Sequence, residues 1–118
     1  MKIENNKTRI NSVHDALLFY KKHNKFEKKF SLLILDLNNN VIEIKELNNR
    51  YFNSECFNVK YLISLVLNLE GCSLYIFEYF NDNELFSIKK REHTLAKIIN
   101  LGNSFNIKVF DYLVIFKI

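Results

Sequence analysis

Three carboxylates lie close together in the second half of the chain, at Glu78, Asp82 and Glu84. Carboxylate oxygens at this short spacing suit a hard cation such as magnesium. The same residue types are common in solvated turns, and Asn81 and Asn83 place further turn residues on either side of Asp82. The spacing therefore leaves a cation site open but favours a polar turn, and we expect no bound metal.

The other groups able to do chemistry form no catalytic pattern. His14, His23 and His93 accompany neither a His-Glu-x-x-His motif nor a nucleophile elbow. Cys56 with His14 or His93 would make a nucleophile pair only if the fold brought them together, which the sequence does not show, and inert thiols are favoured. Cys56 and Cys72 lack CxxC spacing, which is typical of inert thiols in a reducing compartment. We therefore expect a protein that is not an enzyme and that has no cofactor.

Positive charge is concentrated in short segments of a chain whose net charge is +4. The candidate nucleic-acid contacts form what we call the basic stripe, defined as Lys21, Lys22, Lys25, Lys28 and Lys29. Lysines that meet phosphates release counterions, and neighbouring aromatic rings stack on unpaired bases. A modest lysine excess is also typical of a solvated face, and no recognised nucleic-acid motif accompanies it. The solvated face is favoured, with RNA or DNA binding as the alternative.

Aromatic content points to a protein partner, because the chain has 11 Phe and 6 Tyr and exposed aromatic side chains mark interfaces. The candidate binding residues combine an apolar anchor with a cationic rim; they are Tyr79, Leu85, Phe86, Lys89, Lys90 and Arg91. The alternative is that Phe86 fills a core that has no Trp. The last strand offers a second surface, since an open edge allows a homodimer or β-augmentation.

The predicted helices and strands, in chain order, cover residues 13–23, 30–36, 41–47, 59–69, 73–80, 90–101 and 107–116. Ser12 and Asp15 predict a capping box at the first helix. Gly71 and Gly102 are placed to terminate the second and third helices. The order αββαβαβ predicts an α/β (α+β) fold in which helices flank a mixed sheet.

Length and composition predict one domain over residues 1–118, with residues 1–10 flexible or extended. The first residues lack the apolar run of a signal peptide, and no segment approaches the roughly 18 apolar residues of a membrane span. We expect a soluble, cytoplasmic protein that has no membrane partner.

Four segments carry a resemblance to a known family: "RINSVHDALLFY", "FSLLILDLNNNVIEIKEL", "NVKYLISLVLNLEGCSLYIF" and "TLAKIINLGNSFNIKVFDYLVI". Their succession resembles the RadC-type branch of the JAB/MPN metalloprotease fold over roughly residues 9–116. In that family a strand delivers His-Asn-His-Pro-Ser-Gly, and a Pro-Ser-x-x-Asp follows at the next helix. The resemblance implies a zinc hydrolase framework, but neither motif is present here.

Carried over by position, the family's functional residues are replaced. The two histidine ligands fall on Glu78 and Phe80, the serine on Asp82 and the aspartate ligand on Arg91. The general-base glutamate falls on Lys28, with Glu27 adjacent but one residue out of phase. A phenylalanine cannot ligate zinc, and an arginine brings a permanent positive charge to a cation site. The resemblance therefore implies a scaffold without its chemistry.

Together these observations predict a catalytically inactive RadC/JAB-like pseudoenzyme that works by binding. A short chain that keeps the fold and lacks the catalytic motifs is expected of a phage or mobile element. Such a protein would act as an adaptor or inhibitor, directed at a host nucleoprotein defence complex. The alternatives are a small basic RNA- or DNA-binding protein and a divergent metal-dependent hydrolase that uses Glu78 and Asp82.

Overall fold

The computed structural model describes residues 8–24, 28–53, 55–80 and 88–116. These residues form three helices and four strands in the predicted order αββαβαβ, which confirms the predicted α+β fold class. The elements are α1 (Val13–His23), β1 (Phe30–Leu35), β2 (Val41–Glu46), α2 (Val59–Asn68), β3 (Ser73–Phe80), α3 (Ile88–Ser104) and β4 (Lys108–Phe116). No helix in this part of the chain is both long enough and apolar enough to cross a membrane.

The four strands form one mixed sheet in the order β2-β1-β3-β4. β1 pairs antiparallel with both β2 and β3, whereas β4 runs parallel to β3. The predicted hairpin between β1 and β2 is confirmed: the Asp36 carboxylate accepts the N–H groups of Asn38 and Asn40, and Asn39 adopts a left-handed φ of 64°. The parallel pair is joined through α3, as a crossover requires.

Successive residues of the central strands face opposite sides of the sheet, and this alternation makes two cores. Leu32 and Ile34 of β1 and Ile76 of β3 pack towards α2 and α3. Leu33 and Phe77 pack in a second cluster with Ala16 and Tyr20 of α1. The domain therefore has three layers, with α1 on one face of the sheet and α2 and α3 on the other.

The first helix begins as its sequence predicts, with one difference. Ser12 is the N-cap and its side chain accepts the N–H of Asp15. The Asp15 carboxylate accepts the N–H of Asn11 rather than that of Ser12, so the reciprocal half of the capping box is shifted by one residue. The preceding segment is extended: Ile10 is buried and its N–H donates to the Asn39 carbonyl at 2.8 Å.

Gly71 does not terminate α2 in the way the sequence suggested. The left-handed residue after this helix is Glu70, with φ 58°, and no glycine has a positive φ. A Cβ on Gly71 would lie 2.5 Å from Cγ2 of Ile34 and 2.9 Å from Cγ1 of Val66. Glycine is needed at this position because the chain between α2 and β3 passes close to two core side chains.

Gly102 does not end α3 either, since the helix continues to Ser104 and the left-handed residue beyond it is Asn106 (φ 58°). The Gly102 carbonyl accepts the N–H groups of Phe105 and Ile107, at 3.0 and 2.8 Å. A Cβ on Gly102 would lie 2.9 Å from the Ile107 carbonyl oxygen. This glycine therefore allows the end of α3 to approach the backbone that leads into β4.

We expect Gly102→Ala to destabilise the protein by about 1–3 kcal/mol, although alanine favours a helix by about 1 kcal/mol over glycine. The added methyl group meets backbone, which cannot rotate away as a side chain would. Urea unfolding should be compared with Asn103→Ala, an exposed position in the same helix turn. A Gly102→Ala variant as stable as the Asn103→Ala variant would contradict this account.

Candidate functional site

Glu78 is the one carboxylate among the described residues whose side chain is fully buried, with 0% exposure. It lies on β3 in phase with Leu74 and Ile76, so the alternation of the strand points it towards the layer that contains α3. Burying an ionised carboxylate costs several kcal/mol unless charges and hydrogen bonds compensate. The residues around Glu78 should therefore supply both.

Three side chains from three different parts of the chain meet this carboxylate. The Arg91 Nε–H of α3 donates to Oε1 at 3.1 Å, and the Tyr112 hydroxyl of β4 donates to the same oxygen at 2.8 Å. The Lys29 ammonium, just before β1, lies 3.3 Å from Oε2. This last contact is an ion pair without hydrogen-bond geometry. We call Lys29, Glu78, Arg91 and Tyr112 the Glu78 cluster.

Aromatic rings enclose the two cations of the Glu78 cluster. The Lys29 ammonium lies 5.8 Å from the ring centroids of both Phe30 and Phe80. The Arg91 guanidinium lies 5.9 Å from the centroid of Tyr112. The side chains of Lys29 and Arg91 are only 11% and 21% exposed. Water screens these charges weakly, so their attraction to Glu78 is stronger than that of a surface pair.

The tyrosine of the cluster is held in its protonated form. Burial is the largest cause that raises the pKa of Tyr112 above its usual 10.0, and the negative charge and hydrogen bond of Glu78 raise it further. The Arg91 charge acts in the opposite direction and does not reverse the shift. Tyr112 therefore serves as a hydrogen-bond donor at neutral pH and not as a base.

The stability of the protein should consequently fall at high pH. The unfolded chain releases the Tyr112 proton near pH 10 and the folded chain only at higher pH. The stabilisation is therefore complete below about pH 10 and decreases by about 1.4 kcal/mol per pH unit above it. Urea unfolding between about pH 9 and pH 11 should give a shallower slope for Tyr112→Phe than for wild type.

The charges of the cluster oppose metal binding at Glu78. Two fixed cations surround one carboxylate, and they contact both of its oxygens. An incoming zinc or magnesium ion would have to displace both and would meet their repulsion. Within residues 8–24, 28–53, 55–80 and 88–116, no three His, Cys, Asp or Glu side chains are grouped as metal ligands would be. Asp82 and Glu84, the other two carboxylates considered, lie outside the described residues.

The predicted binding residues do not share one environment. Lys89 and Lys90 are exposed in the first turn of α3, and Tyr79 is half-buried on β3. Arg91 points inward to Glu78, so its Nε–H is used inside the protein. Leu85 and Phe86 lie outside the described residues.

The basic stripe is not one continuous surface. Lys21 and Lys22 are exposed at the end of α1, while Lys28 is half-buried. Lys29 lies on the opposite side of the sheet from α1, because its ammonium pairs with Glu78. Lys29 is thus used inside the protein, and its predicted contact with phosphates stays a prediction. Lys25 lies outside the described residues.

Cys56 and His93 come closer than the sequence alone could indicate. Both line a cavity of about 150 Å³ between the loop before α2 and α3, whereas His14 lies on α1 across the sheet. The Cys56 thiol lies 3.7 Å from the Tyr51 carbonyl, to which it donates. This contact directs the thiol proton to backbone rather than to an imidazole.

The sequence does not bring Tyr112 and Lys29 into one site. Tyr112 belongs to the predicted closing strand, where the resemblance places the last motif of the family, and Lys29 belongs to the basic stripe. The available signal was the position of Glu78, since an acidic residue in phase with Leu74 and Ile76 on a buried strand requires compensating cations. That signal predicts partners of positive charge but cannot say which lysine or arginine supplies them.

Comparison with known proteins adds no family assignment. The chain matches no protein-family model, and a search of curated proteins also found no match.

Proposed function

We propose that this chain is a catalytically inactive RadC/JAB-like pseudoenzyme that binds a protein partner as an adaptor or inhibitor. The observation that carries the proposal is the ion pair between Glu78 and Arg91, whose Nε and Oε1 atoms are 3.1 Å apart. These are the positions to which the resemblance assigns a histidine ligand and the aspartate ligand of the metal. A charge pair thus occupies the place where that family binds zinc.

The charge pattern supports the loss of catalysis more strongly than the missing motif does. A hydrolytic zinc needs three protein ligands and an open position for water. Here Glu78 is bound by Lys29, Arg91 and Tyr112, and Phe80, at the second histidine position, packs edge-on against Phe116 with ring centroids 5.4 Å apart. Lys29, Glu78 and Arg91 together carry a net charge of +1, so a metal cation placed among them would be repelled.

Binding is the activity that such a scaffold retains. Lys89 and Lys90 expose positive charge beside the inward-facing Arg91, which supports a cationic rim at this end of the domain. Leu85 and Phe86 would supply the apolar anchor that hot spots require. We propose that the chain comes from a phage or mobile element and that its partner is a host nucleoprotein defence complex.

The chain should carry no stoichiometric zinc and should not cleave peptide or isopeptide substrates. Elemental analysis of protein purified without chelators, together with a peptidase assay at added zinc, measures both. Glu78→Gln is the matched variant, because it removes the charge and keeps the shape. About one zinc per chain in wild type, lost in Glu78→Gln, would refute the pseudoenzyme proposal.

Affinity purification from the native host, with a nuclease-treated parallel sample, tests the binding half of the proposal. A protein that co-purifies equally well after nuclease treatment supports an adaptor or inhibitor. Capture that disappears with nuclease would favour the alternative of a small RNA- or DNA-binding protein.

A further inference from the structure

A groove of about 600 Å³ separates the beginning of α2 from the second half of α3. It lies apart from the Glu78 cluster and shares no residue with it. The side chains used in the argument below are Phe57, Val59, Lys60, Lys97, Asn100 and Leu101. We propose that this groove docks an acidic segment of a partner protein that presents an aliphatic side chain between carboxylates. The inference rests on the proposed binding function and names the surface and the chemistry of the partner.

Two lysines that line the groove form no ion pair within the described part of the chain. Lys60 on α2 and Lys97 on α3 are exposed and line the groove from its two sides. Among the described residues, neither lysine is paired with a carboxylate, and none of the residues that line the groove is acidic. Both ammonium groups are therefore available to carboxylates of a partner.

The N-terminus of α2 adds to this field. The Asn58 side chain caps the helix by accepting the N–H of Tyr61 at 3.0 Å. The first N–H groups of an α-helix have no intrahelical acceptor, and the helix dipole places partial positive charge there. Val59 and Lys60, which begin α2, line the groove. The dipole of α2 therefore adds to the positive field of the two lysines.

A neighbouring cavity continues the groove along α3. Phe57, Val59 and Lys97 line both cavities, and the smaller one adds Lys90 and His93 together with one acid, Glu55. Lys90 and Lys97 are seven residues apart, which places them on one face of α3. The charges of Lys90 and Glu55 balance, so the positive charge that recognises an acidic segment is that of Lys60 and Lys97.

The floor of the groove favours a peptide over a nucleic acid. Val59 and Leu101 supply aliphatic surface, and both also pack against the main core. The only aromatic ring in the lining, Phe57, contacts the Phe30 and Phe52 rings edge-on, at 4.9 and 5.0 Å between centroids. Bases bind single-strand proteins by stacking on free ring faces. An aliphatic side chain between two carboxylates fits this lining better than a base between two phosphates does.

The test is a titration of the ¹⁵N-labelled chain with the acetylated, amidated peptide Glu-Asp-Leu-Glu-Glu-Leu-Asp-Glu, followed by amide chemical shifts. We expect saturable shifts at residues lining the groove. The double variant Lys60→Glu/Lys97→Glu should weaken binding by roughly tenfold or more, because two attractive contacts become repulsive. The matched control is Lys21→Glu/Lys22→Glu, which makes the same change of net charge on α1 and should bind as wild type does.

Two further probes separate the alternatives. The same peptide with Gln and Asn in place of Glu and Asp should not bind in the groove, and a short oligothymidylate should bind there more weakly than the acidic peptide. Absence of saturable binding, shifts that map to α1, equal weakening by the two double variants, or tighter binding of oligothymidylate would each overturn the inference.

Failure of this inference can be told apart from failure of the proposed function. If a partner protein captured by the wild-type chain binds Lys60→Glu/Lys97→Glu equally well, the groove is not the docking surface and the pseudoenzyme proposal stands. If the chain carries one zinc and still binds the acidic peptide in the groove, the proposed function fails and the docking surface stands.

Discussion

Removal of both cations from Glu78, in the double variant Lys29→Met/Arg91→Met, is expected to lower the free energy of unfolding by about 3–5 kcal/mol. The carboxylate itself has 0% exposure, so water cannot replace the lost charges without a rearrangement of β3. Methionine retains much of the aliphatic volume of both side chains, which limits the contribution of lost packing. Urea unfolding at neutral pH measures the change.

A third substitution isolates the electrostatic cause. Glu78→Gln in the same background removes the unpaired charge and keeps a carbonyl oxygen as acceptor for the Tyr112 hydroxyl. We expect the triple variant to regain at least half of the lost stability, because a neutral cluster has no desolvated charge. If the triple variant is as unstable as the double variant, the cations matter for packing and the charge balance at Glu78 is unimportant.

A loss of this size would show that the Glu78 cluster stabilises the domain, since several kcal/mol is a large share of the stability of a small protein. In the proposed pseudoenzyme, the ion pair between Glu78 and Arg91 lies at positions that the resembled family gives to zinc ligands. The stability measurement tests the structural part of that proposal, and the zinc analysis tests the rest.

The elements that the sequence predicted well are those fixed by neighbouring residues. Ser12 begins α1 through a contact three residues away, and β3 occupies the predicted residues 73–80. Residues 41–46 alternate, and the turn before them is rich in Asn, which specifies a hairpin locally. Local chemistry of this kind needs no knowledge of the tertiary fold.

The elements that were predicted incorrectly depend on distant residues. Gly71 and Gly102 are needed where helix and strand backbones approach core groups, while Glu70 and Asn106 adopt the left-handed conformation expected of glycine. The start of α3 carries Lys89, Lys90 and Arg91, which the helix dipole disfavours. The Glu78 carboxylate that holds Arg91 lies on another element, so the favourable contact is invisible in the local sequence.

The attachment of α1 to the sheet gives the second large expected effect. The buried side chains of α1 are Ala16 and Tyr20, and the Tyr20 ring stacks on Phe77 of β3 with centroids 4.4 Å apart. Phe77 is fully buried. Phe77→Ala should therefore cost about 3–5 kcal/mol, through lost transfer energy and the cavity that remains. Thermal or urea unfolding measures this loss.

The damage from Phe77→Ala should be concentrated in α1. The ring lies on the face of the sheet that α1 covers, so its removal takes away the stacking contact of Tyr20 and leaves the packing of α2 and α3 in place. Amide hydrogen exchange should then show α1 opening by local unfolding, at a lower free energy than the strands. The matched control is Ile76→Ala, at the adjacent residue on the other face, which should lower global stability without selective opening of α1. Equal loss of protection in α1 for both variants would mean that this helix unfolds only with the whole domain, and that the two cores are one cooperative unit.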